Sequence, residues 1–343
     1  MRETAAYRRL RRVQFALQGR FDSSGTSRYL GAKLNLAPVR KPSRIRPGDV
    51  VGVIAPSGVV DEGRLQAGIK VLEGWGLRVE VGSAVLAREA YLAGSDTARL
   101  ADLQAMLDDD RVRAIFCARG GYGSQRLLPR LDLRGLAHAP KPIIGYSDAT
   151  ALLNVAVAAG VVAVHGPMVA SDIARPLARR SEEHLRALLT DPALLWEVEA
   201  PVVIRPGRVT GRLVGGCLAV LVATLGTAYA PDTTDAIVFL EDVAERPYRL
   251  DRLLTQLRQA GKLDHVAGVV FGTMAACPVV DGVGPVDVVR ACCADLDCPV
   301  ALGLPAGHDA RGAGPENIAL PLGVRVALDT ERGRVTALEP AVV

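Results

Sequence analysis

Three side chains that could together perform acyl transfer each follow a short apolar run. Ser147 lies in the motif Gly-Tyr-Ser-Asp, Glu241 follows the run Ile-Val-Phe-Leu, and His308 ends the segment 302–308. If these runs are strands of a parallel sheet, the three residues lie at its carboxyl edge, where ligands bind in such folds. A hydroxyl, an imidazole and a carboxylate can act as the nucleophile, the base and the orienting acid of a triad. The spacing therefore indicates three residues that converge in a cleft between two domains.

Each residue also has a purely structural interpretation. Ser147 or Asp148 could cap the helix that follows, because both residue types are preferred at that position. A single histidine after a strand is often structural. Glu241 could form an ion pair with a neighbour such as Arg249 or Arg252. Local sequence alone leaves both interpretations open for every one of them.

A glycine-rich turn follows another apolar run and could bind an oxyanion. Arg119 opens the sequence Arg-Gly-Gly-Tyr-Gly, whose backbone N–H groups could face a carbonyl oxygen. The N–H of Asp148, which follows the serine, could donate into the same space. A tight turn that needs glycine for a positive φ explains the motif equally well. No Gly-Lys-Ser/Thr follows, and Gly-x-Gly-x-x-Gly is missing, so a nucleotide phosphate loop is excluded.

Histidine and cysteine patterns give no sign of a metal or a disulfide framework. The five histidines lack metal-ligand spacing, and no Cys-x-x-Cys pair occurs among the six cysteines. His165, which follows a predicted strand, could line the cleft. We expect reduced cysteines, a cytoplasmic protein, no metal and no cofactor.

Strand-like runs alternate with helical patterns from residue 45 onward. This order predicts an α/β fold of two domains, in which the first has a mostly parallel sheet with flanking helices. The second is a further α/β unit, and we expect its first element to be a helix over 213–225. The predicted strands are 49–56, 77–81, 112–117, 142–145, 161–164, 236–240, 266–271, 299–304, 324–328 and 335–338.

Charge is distributed unevenly along the chain. Residues 1–44 hold eleven Lys and Arg against two acidic residues, whereas the whole chain has a net charge of +4. We expect 1–44 to be a basic, disordered leader, 45–170 to carry the nucleophile, 171–199 to be a linker and 200–343 to carry the acid and the base. Low aromatic content, 4%, argues against a stacking surface for single-stranded nucleic acid. No apolar stretch is long enough for a membrane span, and we expect neither a nucleic acid nor a membrane as a partner.

Several of these motifs together resemble the LD-carboxypeptidase family of serine peptidases. They are the opening Arg-Pro-Gly-Asp at 46–49, Cys-Ala-Arg-Gly-Gly-Tyr-Gly, Gly-Tyr-Ser-Asp-Ala-Thr, Leu-Glu-Asp, Leu-Pro-Ala-Gly-His, Asn317 and Leu-Pro-Leu-Gly. The resemblance covers about residues 45–330.

The resemblance implies a cytoplasmic, metal-free homodimer that removes the terminal D-Ala from murein tetrapeptides during peptidoglycan recycling. It places the nucleophile on Ser147, the acid on Glu241 and the base on His308. The oxyanion would bind the N–H groups of Asp148 and Gly121. Arg119 and Arg249 are candidate partners for the free carboxylate of the peptide, although a structural role would also explain both arginines.

Two alternative functions remain at this point. A self-immunity hydrolase that cleaves an aminoacyl or peptidyl nucleotide, as in microcin C resistance, would share the same triad. A non-catalytic α/β protein that binds a small molecule or a peptide would also have two domains around a cleft.

Overall fold

The computed structural model describes residues 39–309 and 316–343. Most of the predicted leader, 1–44, lies outside the described residues. Its last residues pack against the body, since the backbone N–H of Arg44 donates to the carbonyl oxygen of Val343 at 2.8 Å. The predicted boundary at residue 44 thus falls within a segment that belongs to the fold.

Helices and strands alternate along most of the described chain. The α-helices are, in chain order, α1 (Glu62–Gly74), α2 (Asp96–Asp108), α3 (Arg134–His138), α4 (Thr150–Ala158), α5 (Arg179–Thr190), α6 (Leu218–Ala223), α7 (Pro247–Gln259) and α8 (Pro285–Cys293). The strands are β1 (Val50–Ile54), β2 (Arg78–Val81), β3 (Val112–Cys117), β4 (Ile143–Gly145), β5 (Ala163–His165), β6 (Glu197–Glu199), β7 (Val202–Arg205), β8 (Arg208–Cys217), β9 (Ala236–Val243), β10 (Gly268–Ala275), β11 (Val300–Leu302), β12 (Leu320–Leu322), β13 (Arg325–Asp329) and β14 (Arg334–Ala337).

The first sheet has the strand order β12-β5-β4-β3-β1-β2. Strands β1 to β5 run parallel, as the apolar runs and intervening helices predicted. Every residue of β1 is buried, which fits a strand that is covered by helices on both faces. The edge strand β12 comes from the C-terminal half of the chain and pairs antiparallel with β5. The second half of the chain therefore completes the first sheet.

The second sheet has the order β6-β14-β13-β8-β9-β10-β11-β7. Strands β8 to β11 are parallel, and antiparallel strands flank them on both sides. The predicted helix over 213–225 is wrong at its start, because β8 occupies Arg208–Cys217 and α6 is only Leu218–Ala223. The segment 171–199, which was expected to be a linker, holds helix α5 and strand β6.

Helix α4 of the first half docks on strand β8 of the second half. The side chain of Asn154 donates to the carbonyl oxygen of Gly215 at 2.9 Å and accepts from its N–H at 3.2 Å. The hydroxyl of Thr150 accepts from the backbone N–H of Cys217 at 3.0 Å. A Cβ atom on Gly216 would lie 2.6 Å from that hydroxyl oxygen, so the two backbones meet closely. These contacts fix the turn that holds Ser147, just before α4, relative to β8, which pairs with β9.

Candidate active site

Ser147 occupies a strained position in a sharp turn between β4 and α4. Its φ is +59°, a conformation that non-glycine residues rarely adopt, and it begins a short 3₁₀ turn, Ser147–Ala149. A Cβ atom on Gly145 would lie 3.0 Å from the Sγ of Cys117, so the strand end allows almost no side chain there. A strained serine between a strand and a helix has the geometry of a nucleophile elbow.

The side chain of Asp148 anchors this turn to two other loops. It is buried, and its Oδ2 accepts the hydroxyl of Ser57 at 2.6 Å and the backbone N–H of Ser124 at 2.8 Å. The carbonyl oxygen of Asp148 accepts the hydroxyl of Ser124 at 2.6 Å. The carboxylate is thus engaged in holding the loops together, while the predicted oxyanion role concerns only its backbone N–H.

The glycine-rich turn lies directly against the serine. A Cβ atom on Gly120 would be 2.8 Å from the Oγ of Ser147 and 3.6 Å from the backbone N of Asp148. Gly121 follows with a φ of +119°, which favours glycine. Donation to an oxyanion by the N–H groups of Gly121 and Asp148 stays a prediction, and both lie in the turns that border the Ser147 side chain.

A fully buried Glu241 and a partly buried His308 form a hydrogen-bonded pair at the carboxyl end of the second sheet. The Oε2 of Glu241 accepts the ring Nδ1 of His308 at 2.8 Å and the backbone N–H of the same residue at 3.0 Å. Because an ionised carboxylate can only accept, Nδ1 carries the proton and Nε2 is left as the basic nitrogen. Gly307 has a φ of +113°, and a Cβ atom there would lie 2.5 Å from the same carboxylate oxygen. Only glycine therefore allows this close approach.

Burial and hydrogen bonding have opposite effects on the two groups of this pair. Burial raises the pKa of Glu241, but the hydrogen bond and the charge of His308 outweigh it and hold that pKa below its ordinary value. Burial lowers the pKa of His308, and the hydrogen bond and the charge of Glu241 bring it above its ordinary value. The pair therefore combines an ionised acid with an imidazole that is a stronger base than usual.

Tyr146 connects this pair with the serine turn. Its ring lies edge-on to the ring of His308, with 4.9 Å between the centroids, and it directly precedes Ser147 in the chain. The tyrosine hydroxyl donates to the Oδ1 of Asp172 at 3.0 Å, and burial raises the pKa of that aspartate to about 6. The elbow of the first sheet and the His–Glu pair of the second are thereby brought into contact.

His165 does not line a cleft, which corrects that expectation. It is 0% exposed, and its ring lies 5.6 Å from that of Tyr146 and 4.9 Å from that of Phe239, centroid to centroid. Burial lowers its pKa to about 4, so the ring is neutral near pH 7. Its position in β5, next to β4, buries it behind the serine turn.

The two predicted carboxylate partners lie in different environments. The guanidinium of Arg119 donates to the carbonyl oxygens of Val59 at 2.8 Å and Gly120 at 3.2 Å, beside the serine turn. Arg249, in the first turn of α7, instead forms an ion pair with Glu245 in the segment before that helix, with 2.7 Å from Nε to Oε2. The geometry favours Arg119 as the substrate-binding candidate.

No group of three or more His, Cys, Asp or Glu side chains in residues 39–309 and 316–343 could hold a metal ion. Within the same ranges, no helix is both long and apolar enough to cross a membrane. The six cysteines, all described, are unpaired.

A strained serine follows a strand of the first sheet, and a histidine–carboxylate pair lies at the second sheet. This combination defines an enzyme of the serine-hydrolase type. The chain belongs to the LD-carboxypeptidase family of serine peptidases. The sequence profile of the family's N-terminal domain matches residues 51–166, and that of its C-terminal domain matches residues 210–328. The predicted family and the prediction of an enzyme are confirmed, and a non-catalytic binding protein is not supported.

Relatives and solved structures extend this assignment. The murein tetrapeptide carboxypeptidase of Pseudomonas aeruginosa is 35% identical over 83% of this chain and 94% of its own. The crystal structure of muramoyltetrapeptide carboxypeptidase from Oxalobacter formigenes matches with a TM-score of 0.76 and 30% identity, over 84% of this chain and 97% of that one.

A second group of relatives is named for self-immunity. The microcin C7 self-immunity protein MccF of Escherichia coli is 25% identical over 85% of this chain and 94% of its own. A solved MccF structure matches with a TM-score of 0.81 at 23% identity, over 88% of this chain and 99% of that one, which shows a shared fold. The predicted two-part α/β fold is confirmed by both groups.

Proposed function

We propose that this enzyme is a serine carboxypeptidase that removes the terminal D-Ala from murein tetrapeptides, cutting the bond from an L-centre to D-Ala, in peptidoglycan recycling. The names of the Pseudomonas and Oxalobacter relatives support the substrate. The observation that carries the chemistry is the contact between the turn that holds Ser147 and the Glu241–His308 pair, through the ring of Tyr146.

In the proposed reaction, Nε2 of His308 takes the proton of Ser147 as the hydroxyl oxygen attacks the scissile carbonyl carbon. Glu241 fixes the ring tautomer and stabilises the imidazolium that forms. The imidazolium then protonates the departing amine of D-Ala, which leaves an ester between the serine and the peptide. Water attacks this acyl-enzyme in the same way, with His308 again acting as the base, and releases the shortened peptide.

The tetrahedral intermediate needs hydrogen-bond donors for its oxyanion. We assign them to the backbone N–H groups of Asp148 and Gly121. Each donor of this kind contributes about 2.7–4 kcal/mol to stabilisation of the transition state in serine hydrolases. The hydrogen bonds of the Asp148 carboxylate hold one donor in place, and the close contact of the glycine turn with Ser147 supports the other.

Loss of one alanine from a muramoyl tetrapeptide, followed by mass spectrometry, tests the substrate. We expect D-Ala release by the wild-type protein and a kcat lowered by several orders of magnitude in Ser147→Ala. Ser43→Ala is a matched control, because this serine is exposed and lies near the beginning of the described residues. Absence of D-Ala release at high enzyme concentration would refute the substrate, and near-normal turnover by Ser147→Ala would refute the nucleophile.

A second candidate function is cleavage of an aminoacyl or peptidyl nucleotide. Tyr91 and Tyr122 are 63% and 48% exposed, and their rings lie 6.0 Å apart, centroid to centroid. Tyr122 belongs to the glycine-rich turn whose Gly120 contacts Ser147, and because the two rings are inclined by 57°, a base would stack on one of them. Parallel measurement of kcat/KM on a tetrapeptide and on an aminoacyl nucleotide decides between the two, and a higher value for the nucleotide would reverse our proposal.

We also propose that the enzyme acts as a cytoplasmic homodimer without a metal or a cofactor, and that neither a nucleic acid nor a membrane is a partner. Family resemblance supports the dimer and the compartment, and the unpaired cysteines fit a reducing environment. Light scattering of the purified protein measures the oligomeric state directly. A monomer at micromolar concentration would contradict the dimer.

A further inference from the structure

An arginine-rich groove opens beside the glycine turn of the active site. Its volume is about 240 Å³. The residues that line it come from the start of α1, the turn after β3 and the π-helical turn after β5, and they are Asp61, Arg64, Arg119, Ala170, Ser171 and Arg175.

The walls of this groove are firmly connected to the first sheet. The backbone N–H of Ala170 donates to the carbonyl oxygen of Ala118 at 2.8 Å, immediately before Arg119. A Cβ atom on Gly68 of α1 would lie 2.2 Å from the carbonyl oxygen of Val169, so helix and π-helical turn are in direct contact. The groove is therefore part of the rigid frame that also holds the serine turn.

Positive charge dominates the groove. Three guanidinium groups face a single carboxylate, that of Asp61, and its Oδ1 accepts the backbone N–H of Arg64 at 2.8 Å as a helix cap. Within the described part of the chain, the ion pairs include none of the three arginines. Arginine stays charged at any physiological pH and binds carboxylates through two parallel hydrogen bonds. An anion is the ligand that this surface favours.

Arg119 is oriented before any ligand arrives. Its Nη1 and Nε donate to the carbonyl oxygens of Val59 and Gly120, while its Nη2 makes no hydrogen bond to the described residues. Such preorganisation lowers the entropy cost of binding. The guanidinium is therefore ready to receive a carboxylate through Nη2.

The position of the groove fits the end of a peptide chain. In a carboxypeptidase substrate, the carbon of the terminal carboxylate lies at most about 4.3 Å from the scissile carbonyl carbon, because three bonds join them. The scissile carbon itself must come within about 3–3.5 Å of the nucleophile. Arg119 adjoins Gly120, whose Cβ position is 2.8 Å from the Oγ of Ser147. Of the three groove arginines, Arg119 is the one whose chain neighbour contacts the nucleophile, which makes it the candidate for the terminal carboxylate.

We infer that Arg64, Arg119 and Arg175 form the subsite that binds the C-terminal carboxylate of the peptide substrate. The inference rests on the proposed carboxypeptidase function. Arg119 binds the carboxylate directly, and the two exposed arginines that line the same groove attract the anion and complete its binding. The subsite explains why the enzyme would remove a terminal residue and leave internal bonds intact.

Substrates with and without the terminal charge test the inference. We compare kcat/KM for a murein tetrapeptide and for the same peptide with a C-terminal carboxamide, in wild type, Arg64→Gln and Arg175→Gln. Arg290→Gln, on the exposed face of α8, is the matched control. We expect each groove variant to lose about 10- to 100-fold on the acid, mainly through KM, and to change little on the amide. Arg175→Lys should recover part of the loss, because it restores the charge without the planar fork.

The outcomes separate this inference from the proposed function. If wild type releases D-Ala but the acid-to-amide ratio is the same in the groove variants, the subsite is refuted and the carboxypeptidase function stands. Equal loss on both peptides also refutes it, because the arginines would then act without regard to the carboxylate. If wild type cleaves neither peptide, the proposed function fails and the inference fails with it.

Discussion

Replacement of Asn154 by alanine should loosen the contact that aligns the two halves of the active site. This side chain is buried in α4 and binds both backbone groups of Gly215 in β8. Strand β8 pairs with β9 so that Cys217 lies opposite Glu241. A shift of β8 therefore displaces the carboxylate and His308 relative to the serine turn.

The cost can be worked out from the hydrogen bonds that are lost. The variant leaves the N–H and the carbonyl of Gly215 buried without Asn154, and each unsatisfied group costs about 1–3 kcal/mol. The sum is about 2–6 kcal/mol, which for a domain of this size lowers Tm by roughly 4–12 °C. Misplacement of catalytic groups by about 1 Å can reduce the rate about 100-fold. We therefore expect a lower kcat even at temperatures at which the variant is fully folded.

Thermal melting and D-Ala release at 25 °C measure the two effects. Gln104→Ala is a matched control, because this amide also binds both backbone groups of one residue, Asp132, at 3.1 Å each. The control contact is only partly buried and lies within the first half, so water can replace it, and we expect a loss of about 1 kcal/mol or less. Equal Tm values for Asn154→Ala and Gln104→Ala would refute the stability argument, and equal kcat values would refute the argument that the docking contact aligns the site.

Three further predictions concern the catalytic groups themselves. Gly120→Ala should lower kcat about 10- to 100-fold, because the added Cβ would lie 2.8 Å from both the Cβ and the Oγ of Ser147 and must displace the nucleophile. Gly74→Ala, where an added Cβ has nothing within 4 Å, is the control. Equal kcat for the two variants would contradict the geometry. In the wild type, kcat/KM should fall as the pH drops through the pKa of His308, because only the neutral imidazole accepts the serine proton, and this pKa lies above the ordinary 6.5. Glu241→Gln should move this acidic limb to lower pH, because burial then lowers the pKa of His308 without the opposing effect of the carboxylate. The same variant should lower kcat about 10³- to 10⁴-fold. A pH–rate profile measures both changes, and an unmoved limb would show that Glu241 does not control the base.

Sequence patterns were sufficient to place Ser147 just after β4, Glu241 near the carboxyl end of β9 and His308 in the loop that follows β11. Short β-branched apolar runs are strong local signals, and β1, β3, β4 and β9 follow them, but β9 continues past the predicted end at residue 240 to Val243. The strained φ of Ser147 agrees with the predicted elbow. The contact between Glu241 and His308 could be expected from chemistry, but only the fold shows that it forms.

The predictions that failed depend on long-range contacts. The run through 213–225 is apolar without a clear period, so helix and strand could not be separated there, and pairing with β9 and β13 selects the strand up to Cys217. Strand β12 contains Pro321 and lies at the edge of the first sheet, where the N–H group that proline lacks is not needed for pairing with a further strand.

Two buried residues near the site had no usable local signal. Asp172 lies in a π-helical turn whose sequence has no recognisable pattern, and its role as the partner of Tyr146 depends on the packing of that turn. His165 follows a predicted strand, as a cleft residue would, and only the packing of Tyr146 and Phe239 around it shows that it is buried.

Formation of a covalent adduct on Ser147 tests the central claim most directly. The protein is treated with a serine-reactive fluorophosphonate, digested and analysed by mass spectrometry, beside Ser147→Ala and His308→Ala. We predict a single adduct on the peptide that contains Ser147, loss of D-Ala release in step with labelling, and much slower labelling in His308→Ala. An adduct on a different serine, or full inactivation of the wild type with Ser147 unmodified, would contradict the account.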